Sequence, residues 1–188
     1  MLENKHILLG VTGGIAAYKA VDLAGRLTSN GAKVRTVMTE AACNFIGPKS
    51  FGAITQSPVW TTMWSTSEEF NAGHIALADW ADIVVVAPAT ANIIARVAHG
   101  ICDDLLSTTL CACWAKPMLF APAMNARMWE NPTVQANVET LKQRGFHLIG
   151  PAEGRLACGS HGPGRMSEPQ EIVDAIEKIV LNNQDPKK

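Results

Sequence analysis

The chain has 188 residues, a formal net charge of -1, 47% hydrophobic residues and 18% charged residues. That length suits one domain with a sizeable core, and the near-neutral balance argues against the basic stripe of a nucleic-acid binder. The longest apolar runs are too short for a membrane span, and "MLENKHILLGV" lacks the features of a secretory signal. With five cysteines, no C-x-x-C pair and no zinc-type Cys/His spacing, the composition reads as that of a cytoplasmic protein without a metal site.

"KHILLGVT" is a short apolar run ending at a glycine pair and reads as a buried strand. "IAAYKAVDLAGRLTSNG" has helical spacing and stops at Gly31. "AKVRTVMT" is a second strand, and residues 55–73, rich in aromatic and polar residues, fit no regular period and suit a functional or interface loop. "ADIVVVAPAT" is the clearest buried strand. "ANIIARVAHGICDDLLSTTLCACW" is helical with a break near Gly100, and Cys111 and Cys113 within it read as small core residues. "KPMLFAPAM" is a strand, "PTVQANVETLKQRG" a helix ending at Gly145, and "FHLIGP" a further strand. "RLACGSHGPGRMSEP" reads as a flexible surface loop carrying one thiol. Ser167, with Gln170 three residues on, reads as the capping box of a last helix, and Pro169 falls in its first turn. Residues 1–181 form the domain, and 182–188 are a polar tail or the start of a linker.

Strands alternating with helices imply an α/β fold, a three-layer sandwich around a central parallel sheet. Ligands of such sheets bind at the carboxyl ends of the strands, so the residues after each strand are the informative ones. After the first strand, Gly13 and Gly14 allow close backbone approach, and the helix that follows offers free N–H groups to a phosphate; a plain strand-to-helix turn explains the same pattern. After the second, Thr39 is either a helix cap or a ligand contact. Thr90 and Asn92 suit hydrogen bonding to a phosphate or a flat heterocycle, or a helix start. Asp103 and Asp104 begin a helix with Ser107 one turn inside. In "APAMNARMWENP", Asn125 carries donors and acceptors that suit a carboxylate or an amide, or else it is a turn residue; Met128 and Trp129 beside it are equally packing residues. His74 is the histidine best placed for acid–base work, with a structural role as the alternative.

"GGIAAYK", "GHIALADWAD", "PATANIIAR", "PAMNARMWENP" and "LACGSHGPGRMSEP" occur in this order over nearly the whole chain. Together they resemble the homo-oligomeric flavin-containing cysteine decarboxylases, most closely the branch that acts on 4'-phosphopantothenoylcysteine in coenzyme A biosynthesis. The resemblance implies a Rossmann-like, flavodoxin-like flavoprotein with FMN as cofactor. It places Gly13, Gly14, Ile15, Thr39, Thr90, Ala91, Asn92, Ser107 and Ala123 at the flavin. It assigns Asn125, Met128, Ala157 and Gly159 to substrate binding, with His74, Asn125 and Cys158 in the chemistry. The implied reaction passes a hydride from the sulfur-bearing carbon to FMN, giving a thioaldehyde. Loss of CO₂ then gives an enethiolate, and protonation and hydride return give 4'-phosphopantetheine.

In that scheme His74 assists thiol deprotonation or orients the substrate, Asn125 holds the carboxylate, and Cys158, on a mobile flap, protonates the enethiolate. The resemblance further implies trimers, or dodecamers of four trimers, with sites shared between subunits. Many such domains are fused to a phosphopantothenate–cysteine ligase, so the chain reads as a decarboxylase alone or as a piece of that larger protein. The alternatives are a peptidyl-cysteine decarboxylase and a non-catalytic regulatory flavoprotein; the retained histidine, asparagine and cysteine argue against the second.

Overall fold

The computed structural model describes residues 2–64, 73–159 and 161–183. Six strands form a parallel sheet: β1 (His6–Val11), β2 (Lys33–Met38), β3 (Val59–Trp60), β4 (Ile83–Ala89), β5 (Met118–Pro122) and β6 (His147–Leu148). Their order in space is β3-β2-β1-β4-β5-β6, the order of a doubly wound nucleotide-binding sheet. Chain direction reverses its walk between β1 and β4, and a crevice opens there at the strands' carboxyl ends.

The helices are α1 (Ala17–Ser29), α2 (Glu40–Cys43), α3 (Pro48–Thr55), α4 (His74–Trp80), α5 (Ala91–His99), α6 (Leu105–Ala112), α7 (Ala126–Trp129), α8 (Pro132–Gln143) and α9 (Pro169–Asn182). Period-two alternation sorts the strand side chains into two cores. Ile7, Leu9, Val85, Ala87 and Leu119 join α1, α3 and α9 on one face. Leu8, Val84, Val86, Met118 and Phe120 join α4, α5, α6 and α8 on the other. Every residue of β4 is buried, as both-face coverage requires and as its unbroken apolar run implies. Phe51 and Phe120 are the largest fully buried side chains, one in each core; each such burial stabilises by roughly 1.5–3 kcal/mol.

The breaks read from sequence have their expected cause at Gly100 and Gly145, both at positive φ just past a helix. Several details differ. The last helix is capped by Glu168, not Ser167: the Glu168 carboxylate and Glu171 form the reciprocal box, and Ser167 is buried one residue before it. Pro169 at the first helical position moves the start one residue along. Only Cys113 is a core cysteine; Cys111 is exposed, because two residues on a helix differ by about 200° and face opposite sides. Within the irregular stretch, Trp60 is buried in the edge strand β3 and Met63 packs on the second core, while Trp64 is exposed; residues 65–72 lie outside the described residues.

The described residues of the glycine-rich segment also form regular structure. β7 (Ala152–Arg155) pairs antiparallel with β8 (His161–Arg165), forming a hairpin with Cys158 at its tip. Alternation was invisible in the sequence because glycine and proline hold most of β8. No helix among the described residues is long and apolar enough to cross a membrane.

Candidate active site

A cleft of about 1230 Å³ opens at the carboxyl ends of β1, β2, β4 and β5. Small-molecule sites usually span ~300–1000 Å³, so this one has room for two ligands side by side. One wall begins with Thr12, at the end of β1, a residue whose role the sequence did not single out. Its hydroxyl donates to the Pro88 carbonyl at 2.7 Å and accepts from the Thr90 amide at 3.2 Å. This buried bridge ties the ends of β1 and β4 together where the two loops diverge. Its only sequence signal is a small hydroxyl residue directly before a glycine pair.

Gly13 must be glycine, because a Cβ there would lie 2.5 Å from that of Ala41. The loop is thereby drawn against α2. Gly14 has room for more, with the nearest atom, a Thr90 methyl, at 3.7 Å. Among the described residues the amides of Gly13, Gly14, Ile15 and Ala16 donate to no backbone carbonyl, which leaves the N-terminus of the 13-residue α1 rich in donors. Ile15, 62% exposed, and Tyr18, 60% exposed, stand at the same wall.

Thr39 and Thr90 each cap a helix: Thr39 Oγ1 accepts from the Ala42 amide at 3.2 Å and Thr90 Oγ1 from the Ile93 amide at 3.5 Å. Both also line the cleft, along with Ala91, Asn92 and Ala123, so capping and ligand contact coexist at these positions. Ser107 does not reach it. It is buried, and its hydroxyl is engaged by Asp104 in the capping box of α6. Asp104 in turn pairs with Arg96, which also meets Asp103 at 2.9 Å.

Across the cleft from this wall stand two of the candidate residues, Asn125 and Cys158. Asn125 is the N-cap of α7, with Oδ1 accepting from the Arg127 amide at 2.9 Å. That bond fixes the amide's orientation and turns Nδ2 towards the hairpin tip, where it lies 3.0 Å from Cys158 Sγ. The hairpin is held against this loop by the Met124 amide donating to the Gly164 carbonyl at 2.9 Å. Ala157 and the half-exposed Met128 complete this side. Gly159 lies in the hairpin turn at φ +87°, its amide bound to the Leu156 carbonyl, and does not line the cleft. His74 is the first residue of α4, half-buried and also outside the cleft of its own chain.

Lys19, reaching from α1, meets Glu168 at 2.6 Å and the Met166 carbonyl at 3.3 Å. The lysine's hydrogen bond holds the Glu168 carboxyl below its ordinary pKa. Away from the site, burial pushes the Cys113 thiol up to about 11. Among the described residues no group of three or more His, Cys, Asp or Glu could hold a metal ion.

A family model described as Flavoprotein matches residues 1–181. The chain is 48% identical over 178 residues to the coenzyme A biosynthesis bifunctional protein CoaBC of Bacillus subtilis, covering 95% of this chain and 44% of that protein. The Escherichia coli K12 protein of the same name is 49% identical over 173 residues, with 92% and 42% covered. The chain thus spans less than half the length of these curated relatives. A solved PPC decarboxylase variant complexed with pantothenoylaminoethenethiol superposes with a TM-score of 0.87 at 34% identity, covering 95% of this chain and 100% of that one. The FMN-binding protein AtHal3 superposes with a TM-score of 0.81, also at 34% identity, covering 94% and 97%.

Proposed function

The chain belongs to the flavoprotein family, and on that premise we propose that it is an FMN-dependent decarboxylase converting 4'-phosphopantothenoylcysteine to 4'-phosphopantetheine in coenzyme A biosynthesis. The observation that carries this reading is the 3.0 Å contact between Asn125 Nδ2 and Cys158 Sγ on one wall of a cleft with room for two ligands. An amide donor and a thiol meeting there match what a cysteine-derived carboxylate and a proton-accepting carbon require.

The residues fit a flavin in chemistry and size. Gly13, Gly14 and Ile15, Thr39, the Thr90–Asn92 turn and Ala123 would hold it, through backbone donors, two hydroxyls and small apolar faces. When bound, FMN supplies reversible two-electron chemistry.

The remaining steps fall to side chains. Asn125 presents a donor rather than an acceptor to the cleft, since Oδ1 is committed to Arg127. Nδ2 binds the substrate carboxylate and holds it until CO₂ departs. Cys158 Sγ then gives its proton to the carbon that CO₂ left. The resulting thiolate is stabilised by the same Nδ2, because a hydrogen bond to a charged acceptor is stronger than one to a neutral acceptor.

His74 serves substrate oxidation from outside its own chain's cleft, which calls for a neighbouring copy. The exposed Trp64, Ile75 and Trp114 supply apolar surface for such contacts. A trimer, alone or in a dodecamer, is the assembly we propose, and a ligase partner, fused or separate, supplies the substrate. The test is direct: purified protein should carry flavin absorbance and release CO₂ from 4'-phosphopantothenoylcysteine. Cys158→Ser should release CO₂ yet accumulate unprotonated, oxidised product. Flavin-loaded protein that leaves the substrate intact would overturn the reading.

A further inference from the structure

Resting on that reading, we propose that Arg155 binds the phosphomonoester of the substrate and makes the cleft selective for phosphorylated compounds. Four cationic side chains line the cleft: Lys19, Arg96, Arg155 and Arg165. Three are committed to carboxylates. Lys19 meets Glu168 at 2.6 Å and Arg165 meets the same oxygen at 3.4 Å. Arg96 is enclosed by two aspartates, Asp103 and Asp104, so that cluster carries net negative charge and repels a phosphate.

Arg155 differs. It is exposed, and among the described residues no carboxylate lies within ion-pair distance of it. A guanidinium without a partner carries an open fork of donors suited to two phosphate oxygens at once. Its place is equally informative. Arg155 is the last residue of β7, three before Cys158 on the same hairpin, and faces His161 across the pair. The hairpin therefore carries the proposed proton donor at its tip and, on its stem, a cation that has no carboxylate partner among the described residues. Asn125 and Arg155 line the same cleft, so a substrate with a carboxylate at one end and a phosphate at the other can meet both.

The test is calorimetric titration of the flavin-loaded protein with 4'-phosphopantetheine and with pantetheine, which differ only in the phosphate. Wild type should bind the phosphorylated compound at least about tenfold more tightly, the size of one to two charge-assisted contacts. Arg155→Gln should lose that preference while binding pantetheine as wild type does. Arg155→Lys should keep part of it, having charge without the fork. No preference in wild type, an undiminished preference in Arg155→Gln, or an equal loss for both compounds would overturn the assignment. Because the titration reads binding alone, a failure of CO₂ release would count against the proposed reaction and leave this result to stand separately.

Discussion

Gly164 is the point where the hairpin meets the loop carrying Asn125, and replacing it by alanine separates the two. Gly164 sits at φ +148°, a region L-residues rarely adopt. An added Cβ would lie 2.1 Å from the Met124 carbonyl oxygen and 3.4 Å from the Ala126 amide nitrogen. Both contacts are with backbone, so no side chain can turn aside. The strain costs about 1–3 kcal/mol, and losing the Met124–Gly164 hydrogen bond adds roughly 1 kcal/mol. A destabilisation of about 2–4 kcal/mol follows, or a Tm lower by roughly 4–16 °C for a chain of this size. The site suffers too, because the hairpin moves off the loop and Cys158 Sγ leaves Asn125 Nδ2. Decarboxylation should therefore fall even where the protein stays folded. Gly162→Ala is the control: its Cβ meets only that of Ala126, at 3.2 Å, and a small yield of the neighbour accommodates it. Thermal unfolding with turnover measured on the same samples decides the matter. A Gly164→Ala protein with wild-type Tm and turnover would refute the reasoning.

Asn125→Asp should keep the fold, since aspartate caps a helix as well as asparagine, yet weaken substrate binding by placing like charge at the carboxylate; full affinity in this variant would remove Asn125 from that role. Cys113, buried and with its thiol pushed up to about 11, should resist iodoacetamide at pH 8 while the exposed Cys111 and Cys158 are labelled, as peptide mass spectrometry would show; equal labelling of Cys113 would contradict the burial. Glu168, whose carboxyl Lys19 holds below its ordinary range, contributes stability that is fully present above its unfolded pKa of about 4.3 and lost as pH falls through its folded value. Glu168→Gln should therefore flatten the acid limb of urea midpoints measured from pH 5 downwards, and an unchanged limb would refute the linkage.

The sheet was legible because burial on both faces leaves an unmistakable mark. β4 is an unbroken apolar run, and α1 and α5 follow it and β1 with clear helical spacing. Short elements were not legible for a common reason. α2 and α7 have four residues each, and β3 has two, too few for any period to show. Their existence depends on a capping side chain or on a neighbouring strand, as with Thr39 for α2 and Asn125 for α7. Cys111 was misplaced because spacing alone does not say which of two nearby helical positions faces the core.

The site shows a different limit. Residues following strands converge because topology brings strand ends together, so Gly13, Thr39, Thr90 and Ala123 could be gathered by rule alone. Nothing in that rule brings Cys158 to Asn125. Their meeting depends on a hairpin whose strands hold glycine at positions 154, 162 and 164, where periodicity is silent. The same glycines that hide the hairpin also permit it, since Gly164 alone fits against the Met124 carbonyl. Thr12 escaped notice for the converse reason: its work is a pair of hydrogen bonds to Pro88 and Thr90, and partners so far away in the chain leave no trace in local pattern. His74 begins α4 and lies outside the cleft of its own chain, so the role we propose for it in the chemistry requires a neighbouring copy to present it to a cleft.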